Sequence, residues 1–318
     1  MHFATGAAWL DSFVLSSRVE RSGRATEFYR AARAGMFVRL AHGVYLPSDV
    51  WTTLSSDDRF VASIHAAQRT SRRDLVFSHM LAAALWGLPL VGQWPPRPEV
   101  VTSDASGGRS RQTYVARLGS VPRNPDVVDG LMVTALGQTL VDVAHRAPLT
   151  TSVAMLDFAL RAPVRAETGL RAVRVTGAEL AHQFETSART AGRTLCARAL
   201  DLCDGGSGSA GESLSRVNMH LLGLPMPMLQ VPFRDSRGLI GYVDFWWPQF
   251  NVIGEFDGFG KYLREELRAG RSTADVVLAE KAREDRLRAL GPTVTRWGWA
   301  TARSPALIGR HLREAGVA

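Results

Sequence analysis

The spacing of apolar and polar residues changes along the chain in a way that predicts three regions. In the first region, helical spacing over Arg24–Ala34 ends at Gly35. Two short apolar runs within Met36–Leu46 then flank Ala41-His42-Gly43, which is the signature of a β-hairpin. Helices followed by such a hairpin are typical of a winged helix-turn-helix, which we therefore predict for residues 1–47.

The second region, residues 48–204, is predicted to be mostly helical. Helices are expected over Asp58–Thr70, Ser78–Leu88, Leu136–Arg146, Ser152–Arg161, Gly177–Ser187 and Ala191–Cys203, with short strands over Val100–Thr102 and Thr113–Ala116. Ser78, His79 and Asp142 include groups used in nucleophilic catalysis, but a histidine beside an apolar helix more often packs or caps it. We interpret this region as a scaffold without a catalytic centre.

The third region, residues 205–318, begins within the glycine- and serine-rich segment Asp204–Gly211, whose composition is typical of a linker. The expected elements are helix Glu212–Leu222, strands Leu229–Arg234, Leu239–Trp247 and Asn251–Asp257, helix Ser272–Leu290, strand Thr293–Trp299 and helix Pro305–Ala315. Their order is α-β-β-β-α-β-α. Together with the other two regions, this order predicts an α+β protein.

Three carboxylates lie on two strongly apolar strands of the third region. Glu255 and Asp257 are two residues apart and therefore point to the same face of their strand. The short connection Pro248–Asn251 makes the preceding strand its antiparallel neighbour, in a register that can bring Asp244 beside Glu255. Ionised carboxylates are costly to bury without a cation. Hard oxygen ligands in such a cluster suit Mg²⁺ or Mn²⁺, so we predict one of these ions here.

Lysine is nearly absent from the chain. Of its 38 lysine and arginine residues, only Lys261 and Lys281 are lysines. A compact ammonium group with a tunable pKa is a property that arginine cannot supply, so both are candidate catalytic residues. Glu212, at the start of a predicted helix, is a further candidate metal ligand, although an acidic residue there also stabilises a helix N-terminus.

The charge balance favours a polyanionic partner. The formal net charge is +8 and the isoelectric point is about 10.2, which favours nucleic acid first and an anionic surface second. Arg24, Arg30 and Arg33 on the first predicted helix, and Arg39 on the hairpin, are candidate contacts to DNA phosphates. The alternative is a solvated amphipathic helix covered by a hairpin.

Neither a membrane span nor a disulfide is expected. The longest apolar stretch, Met80–Val91, contains Pro89 and is too short to cross a bilayer. Cys196 and Cys203 are seven residues apart on one predicted helix, which separates them by about 10 Å along its axis and excludes a disulfide between them. We therefore expect a cytoplasmic protein that does not bind membranes.

Two parts of the sequence resemble known families. The residues that carry the first resemblance are Glu212-Ser-Leu-Ser-Arg216, Gln230, Val243-Asp-Phe, Gly254-Glu-Phe-Asp-Gly258, Lys261-Tyr262, Glu280-Lys-Ala-Arg-Glu-Asp285 and Arg296-Trp297. They resemble the PD-(D/E)XK nuclease superfamily, in particular the very-short-patch-repair endonucleases and their relatives. Gly43-Val-Tyr45 and Ser78-His79 with Trp86-Gly-Leu-Pro89 resemble the AbiEi-type antitoxin family of actinobacteria.

The first resemblance implies a restriction-endonuclease-like domain with an αβββαβ core over residues 205–318, and the second an AbiEi-antitoxin-like middle domain after the winged helix. Asp244 and Glu255 match the two acidic metal ligands of the nuclease superfamily, and Glu212 matches its first-helix glutamate. The motif lysine is replaced by Asp257. That carboxylate adds negative charge where a phosphate must approach, an objection that two bound metal ions would remove. Lys261 or Lys281 could reach the site from a neighbouring element.

Two functions are therefore expected from different classes. The first is a DNA-binding protein with a metal-dependent endonuclease domain that hydrolyses phosphodiester bonds, with Asp244, Glu255, Asp257, Lys261 and Lys281 as its catalytic residues. The second is a non-catalytic, antitoxin-like transcriptional regulator of a type IV toxin–antitoxin or phage-defence system, whose further partners would be a cognate toxin or a second copy of the chain. A plain set of internal ion pairs is the remaining alternative.

Overall fold

The computed structural model has an α+β fold. It describes residues 8–71, 74–103, 114–119, 121–161, 164–166, 171–173, 175–187, 189–258 and 273–318. The chain forms two compact units: unit 1 is Met1–Arg146 with Ala162–Cys196, and unit 2 is Ala147–Arg161 with Ala197–Ala318. This division differs from the three predicted regions, because unit 2 includes Ala147–Arg161, which the prediction placed in the middle region. The predicted regions stay a prediction.

The N-terminal part of unit 1 contains the predicted helix and hairpin. Its elements are strand β1 (Val14–Leu15), helices α1 (Ser16–Arg21) and α2 (Ala25–Arg33), and strands β2 (Phe37–Ala41) and β3 (Val44–Pro47). The strands form an antiparallel sheet in the order β1-β3-β2. Phe28 of α2 packs against Phe37 and Tyr45, with ring centroids 5.0 Å apart in each pair. Burial of this aromatic cluster fixes α2 on the hairpin.

The rest of unit 1 combines helices with a sheet that the sequence predicted only in part. The helices are α3 (Ser48–Thr53), α4 (Ser56–Thr70), α5 (His79–Leu85), α6 (Leu136–Ala144), α8 (Gly177–Thr186) and α9 (Arg193–Leu202), the last of which continues into unit 2. The strands are β4 (Val76–Phe77), β5 (Glu99–Thr102), β6 (Val115–Leu118), β7 (Asp126–Val128) and β8 (Leu131–Val133), with a separate pair β9 (Val164–Ala166) and β10 (Arg171–Val173). The five-stranded sheet has the order β6-β5-β4-β8-β7. Only β5 and β6 were predicted, and Thr113, the predicted start of β6, lies outside the described residues.

Unit 2 has the predicted order of elements. It contains α7 (Leu149–Arg161), α10 (Ala210–Leu221), β11 (Met228–Asp235), β12 (Gly238–Trp247), β13 (Val252–Asp257), α11 (Thr273–Arg288), β14 (Thr293–Gly298), α12 (Trp299–Ala302) and α13 (Pro305–Glu314). The sheet order is β11-β12-β13-β14, with β13 and β14 parallel and the other neighbours antiparallel. Among the described residues from α10 to α13, the order agrees with the prediction and adds the 3-10 helix Pro248–Phe250 and the short helix α12.

Aromatic stacking and one glycine hold the sheet of unit 2 together. The rings of Phe245 and Trp297 stack at 5.2 Å, and Phe245 also stacks on Trp247 at 6.1 Å. Gly254 lies between the two tryptophans, so that an added Cβ would come 2.7 Å from Trp297 and 2.9 Å from Trp247. On α11, Leu287 is fully buried in a cluster with strand residues of the sheet. The hydrophobic burial of these groups determines where the acidic strand ends are placed.

The segment predicted to be a linker is instead bound to its surroundings. Asp157, which is 1% exposed, accepts hydrogen bonds from the Asp204 amide at 2.7 Å, from Ser213 Oγ at 2.7 Å and from Arg216 Nη1 at 2.9 Å. Arg216 also donates to Ser207 Oγ at 3.2 Å. The composition suggested a flexible chain, but a buried charge pair fixes this segment between α7 and α10.

The two cysteines and the described helices bear on the thiols and on membrane spans. Cys196 and Cys203 are free thiols, and burial raises the pKa of each to about 11. Among the described helices, none combines the length and apolar character that a bilayer crossing needs.

Candidate functional site

A cavity in unit 2 collects the acidic residues that the sequence singled out. Its volume is about 300 Å³. The lining residues are Gly208, Glu212, Gln230, Tyr242, Asp244, Glu255, Phe256, Asp257, Glu280, Arg283 and Arg296. They come from α10, β11, β12, β13, α11 and β14 and from the segment before α10. All four predicted metal ligands, Glu212, Asp244, Glu255 and Asp257, therefore face one space.

Glu212 is fixed by the start of α10. Ser209 caps this helix by accepting a hydrogen bond from the Glu212 amide at 3.3 Å, while its own hydroxyl donates to Glu212 Oε1 at 2.8 Å. The Gly208 amide donates to Glu212 Oε2 at 2.6 Å. The carboxylate, 1% exposed, therefore fixes the turn that leads into α10, and its charge lies in the first turn of the helix, where a negative charge is favourable.

A strained glutamine links two of the carboxylates. Gln230 Nε2 donates to Glu212 Oε2 at 3.1 Å and to Asp244 Oδ1 at 3.0 Å. The backbone of Gln230 has φ of 48° in the middle of β11, a left-handed conformation that is unfavourable for a non-glycine residue. The Phe256 amide donates to the other oxygen of Asp244, Oδ2, at 2.9 Å. Asp244 is therefore held by both neighbouring strands.

The carboxylate of Glu255 is held by an arginine. Arg283 Nη2 donates to Glu255 Oε1 at 2.9 Å and Arg283 Nη1 to Glu255 Oε2 at 3.2 Å, the bidentate geometry that suits a guanidinium and a carboxylate. Arg283 Nη2 also donates to the Tyr242 carbonyl at 2.8 Å. Burial raises the pKa of Glu255 above its usual value, against the lowering effect of Arg283. Asp244 raises it further.

A second ion-pair network forms another wall of the cavity. Arg296 Nη2 lies 2.6 Å from Glu280 Oε1, and Arg296 Nε lies 3.0 Å from Glu284 Oε2. Arg283 Nη1 also contacts Glu280 Oε1 at 3.1 Å. Burial acts to raise the pKa of Glu280, but the hydrogen bond from Arg296 and the charge of Arg283 lower it overall. Through these contacts Glu280, Arg283 and Glu284 of α11 are connected to Arg296 of β14.

The charge of the cavity favours cations. Among the described residues, its lining contains five carboxylates and two guanidinium groups. An excess of negative charge in a partly enclosed space attracts cations and repels phosphate.

The oxygen donors are of the type that Mg²⁺ and Mn²⁺ prefer, but their arrangement does not fit an ion as it stands. Glu212, Asp244 and Glu255 each accept hydrogen bonds from protein donors. Within the described part of the chain, no group of three or more His, Cys, Asp or Glu side chains is placed to hold a metal. An ion on Glu255 would have to compete with Arg283.

Of the two predicted lysines, only Lys281 is among the described residues. Lys261 lies outside the described residues. Lys281 is exposed on α11 and is not among the residues that line the cavity. Arg283, two residues further along, lies on the side of α11 that faces Glu255, in line with the buried Leu287 four residues later. Helical spacing relative to Leu287 was the signal that would have identified Arg283.

The predicted DNA contacts are placed on the surface of unit 1. Arg24, Arg30, Arg33 and Arg39 are all exposed. Arg39 Nε donates to the Ala41 carbonyl at 3.3 Å, which directs this side chain along the hairpin. These four guanidinium groups are accessible to a polyanion.

Comparison with known proteins adds relatives but no activity. No family model matches the chain. "Uncharacterized protein MT2308" and "Uncharacterized protein Rv2248", from two strains of Mycobacterium tuberculosis, are each 30% identical over 196 residues, which cover 60% of this chain and 65% of theirs. The match thus spans less than two thirds of the relatives' length. The crystal structure of the Rv2827c protein from Mycobacterium tuberculosis aligns with a TM-score of 0.36 at 15% identity, covering 70% of this chain and 83% of that one.

Proposed function

We propose that the chain is a cytoplasmic DNA-binding protein whose C-terminal unit is a PD-(D/E)XK-type endonuclease dependent on Mg²⁺ or Mn²⁺. The observation that carries the proposal is the meeting of Glu212, Asp244, Glu255 and Asp257 at one cavity. They come from the first helix and from the second and third strands of a core in which α10, β11, β12, β13, α11 and β14 follow one another. The resemblance implies acidic ligands at Asp244 and Glu255 and a glutamate at Glu212, whereas it implies a lysine at the position of Asp257.

The side chains around the cavity have separable roles in this proposal. Gln230 and the cap of α10 hold Glu212 and Asp244 in fixed orientations. Such preorganisation is what a site needs to act on a charged reacting group. Arg283 and Arg296 are the cationic groups of the described lining, and a guanidinium matches the oxygens of a phosphodiester. Phosphate binding therefore requires Arg283 to exchange Glu255 for the substrate.

The second candidate is a DNA-binding regulator that does not cleave, and one observation favours it. Arg283 holds both oxygens of Glu255, so the charge that a metal would neutralise is already paired. An antitoxin-like repressor would use the winged helix for its operator and keep the nuclease-type core as a rigid module. A cognate toxin or a second copy of the chain would then be the protein partner.

Plasmid nicking by the purified full-length protein distinguishes the two candidates. We expect nicking in Mg²⁺ or Mn²⁺, abolished by chelation, and reduced at least a hundredfold by Asp244→Asn or Glu255→Gln because these changes remove acidic groups of the cavity. Arg237→Gln, at a side chain that is 71% exposed, is the matched control and should cleave as the wild type does.

DNA binding by the wild type and by the variants is measured on the same samples. Equal nicking by all variants would identify a contaminating nuclease and contradict the endonuclease proposal. Sequence-specific DNA binding that survives Glu255→Gln, without metal-dependent cleavage by the wild type, would establish the regulator instead.

A further inference from the structure

Unit 1 contains a second cavity, which is larger and of opposite charge. Its volume is about 880 Å³, within the range of sites for small organic ligands. Its walls are formed by β5, β6, α6 and α8 and by the residues that follow α6 and α8. Among the described lining residues are three arginines and a single carboxylate: Arg117, Arg146, Arg189 and Asp142.

The three arginines create a positive field that the surrounding protein compensates only in part. Arg117 Nη2 lies 2.6 Å from Glu99 Oε1. Arg189 Nη2 lies 3.6 Å from Asp142 Oδ1, beyond the distance of a good hydrogen bond. Arg146 is exposed at the cavity and has no ion pair among the described residues. The cavity therefore offers guanidinium groups to an anion.

A buried histidine next to this cluster reports the same field. His79 is 2% exposed, and its Nε2 has no hydrogen-bond partner within the described residues. Burial lowers the pKa of His79 to about 3, and the charges of Arg189, Arg146 and Arg117 contribute in the same direction. The imidazole is therefore neutral at physiological pH and adds no charge of its own.

The other lining groups restrict the kind of anion. Asp142, which is 9% exposed, offers carboxylate oxygens to hydroxyl or amino groups of a ligand. Val101 and Val141 provide an apolar surface against which a flat ring can pack. Gln138 and Gln183 add amide donors and acceptors. A phosphate, hydroxyl groups and a flat heterocycle match these groups together.

We infer that this cavity binds a mononucleotide, with its phosphate on Arg146 and Arg189 and its sugar or base on Asp142. Guanidinium groups bind phosphate through charge-assisted, often bidentate hydrogen bonds. The volume leaves room for a complete nucleotide and not only for an inorganic anion. The site belongs to unit 1 alone and does not depend on whether the acidic cavity of unit 2 cleaves DNA.

Titration calorimetry of the full-length protein tests the site, with AMP, GMP, CMP and UMP as probes. Inorganic phosphate and adenosine at equal ionic strength are the partial probes. We expect at least one mononucleotide to bind with a stoichiometry near one and at least tenfold more tightly than phosphate or adenosine. Arg146→Gln and Arg189→Gln should each weaken binding about tenfold or more, because each removes a charge-assisted hydrogen bond. Arg123→Gln, at an exposed arginine of unit 1 outside the cavity, should bind as the wild type does.

Two further variants separate this site from others. Asp142→Asn should weaken nucleotide binding while leaving phosphate binding unchanged or stronger. Arg237→Gln in unit 2, at a side chain that is 71% exposed, should change neither nucleotide binding nor phosphate binding. The inference is overturned if no mononucleotide binds, if Arg146→Gln and Arg189→Gln bind as tightly as the wild type, or if phosphate binds as tightly as every nucleotide.

Discussion

Single side chains decide which groups face each cavity, and Arg283 is the clearest case. The scarcity of lysine directed attention to Lys281, whereas the packing of Leu287 turns Arg283 toward Glu255. Chemical scarcity says nothing about the direction of a side chain, but helical spacing does.

The left-handed conformation of Gln230 had no signal in the sequence, because the surrounding tertiary hydrogen bonds impose it.

His65 is expected to make the stability of the protein depend on pH. It is 4% exposed on α4, packs against Trp9 and Phe13 with ring centroids 6.5 Å and 6.3 Å away, and burial followed by the charge of Arg69 lowers its pKa to about 4. Below pH 6.5 the unfolded chain takes up a proton that folded His65 does not. The stability present above pH 6.5 is therefore lost as the pH falls towards 4, on the order of 3 kcal/mol from this residue.

His65→Phe tests this because it keeps an aromatic ring and removes the titration. Denaturant unfolding at several pH values should show a smaller loss of free energy of unfolding between pH 6.5 and 4 in the variant than in the wild type. His42→Asn, at an exposed turn position, is the control and should retain the wild-type dependence. Parallel pH profiles for wild type and His65→Phe would contradict the assignment.

At the scale of elements, the close approach of α10 to β13 positions the acidic cavity. Gly211 lies where an added Cβ would overlap the ring of Phe256, and the neighbouring residue is Glu212. The absence of a side chain at this position lets the helix pack directly on the strand that carries Glu255. The positions of these two carboxylates relative to each other therefore depend on a glycine.

Gly211→Ala should destabilise unit 2 by about 1–3 kcal/mol, since overpacking forces the ring or the helix to move. Gly177→Ala is the matched control, because Gly177 begins α8 and an added Cβ there meets no atom within 4 Å. That change should be neutral or slightly stabilising. Thermal and denaturant unfolding measure both variants, and equal stability of Gly211→Ala and the wild type would show that α10 adjusts without cost.

The sequence predicted elements well where they are long and periodic. From α10 to α13 the predicted bounds agree with the structure within two residues, since the strands are six to ten residues long and Ser209 and Ser304 cap two of the helices. In unit 1, β4 has two residues and β7 and β8 have three each. Such strands are too short to show alternation, and pairing with distant partners defines them. The proximity of Asp244, Glu255 and Asp257 was predictable from strand pairing, whereas the ion pair of Glu255 with Arg283 was not.

At the scale of the whole molecule, charge is divided between sites of opposite sign. The chain carries a net charge of +8, yet the described lining of the cavity in unit 2 is predominantly acidic and that of the cavity in unit 1 is predominantly basic. Net charge promotes approach to a polyanion, whereas local contacts determine where it binds. A test of DNA binding must therefore change position and total charge independently.

Replacing Arg24, Arg30, Arg33 and Arg39 by glutamine should weaken DNA binding and reduce its dependence on salt. Each phosphate contact contributes about −0.9 to the slope of log K against log salt concentration, so losing four contacts should make the slope less negative by about 3.6. Fluorescence anisotropy with a labelled duplex at several salt concentrations measures this slope.

A second quadruple variant distinguishes the effect of the four N-terminal arginines from the effect of total charge. Glutamine at Arg123, Arg198, Arg310 and Arg313, all exposed, removes the same charge from other parts of the surface. If the winged helix contacts the phosphates, this variant should keep nearly the wild-type slope, because counterions are released only where guanidinium groups meet the DNA. Equal loss of slope in both variants would mean that net charge alone drives binding, and the assignment of the four N-terminal arginines would then be wrong.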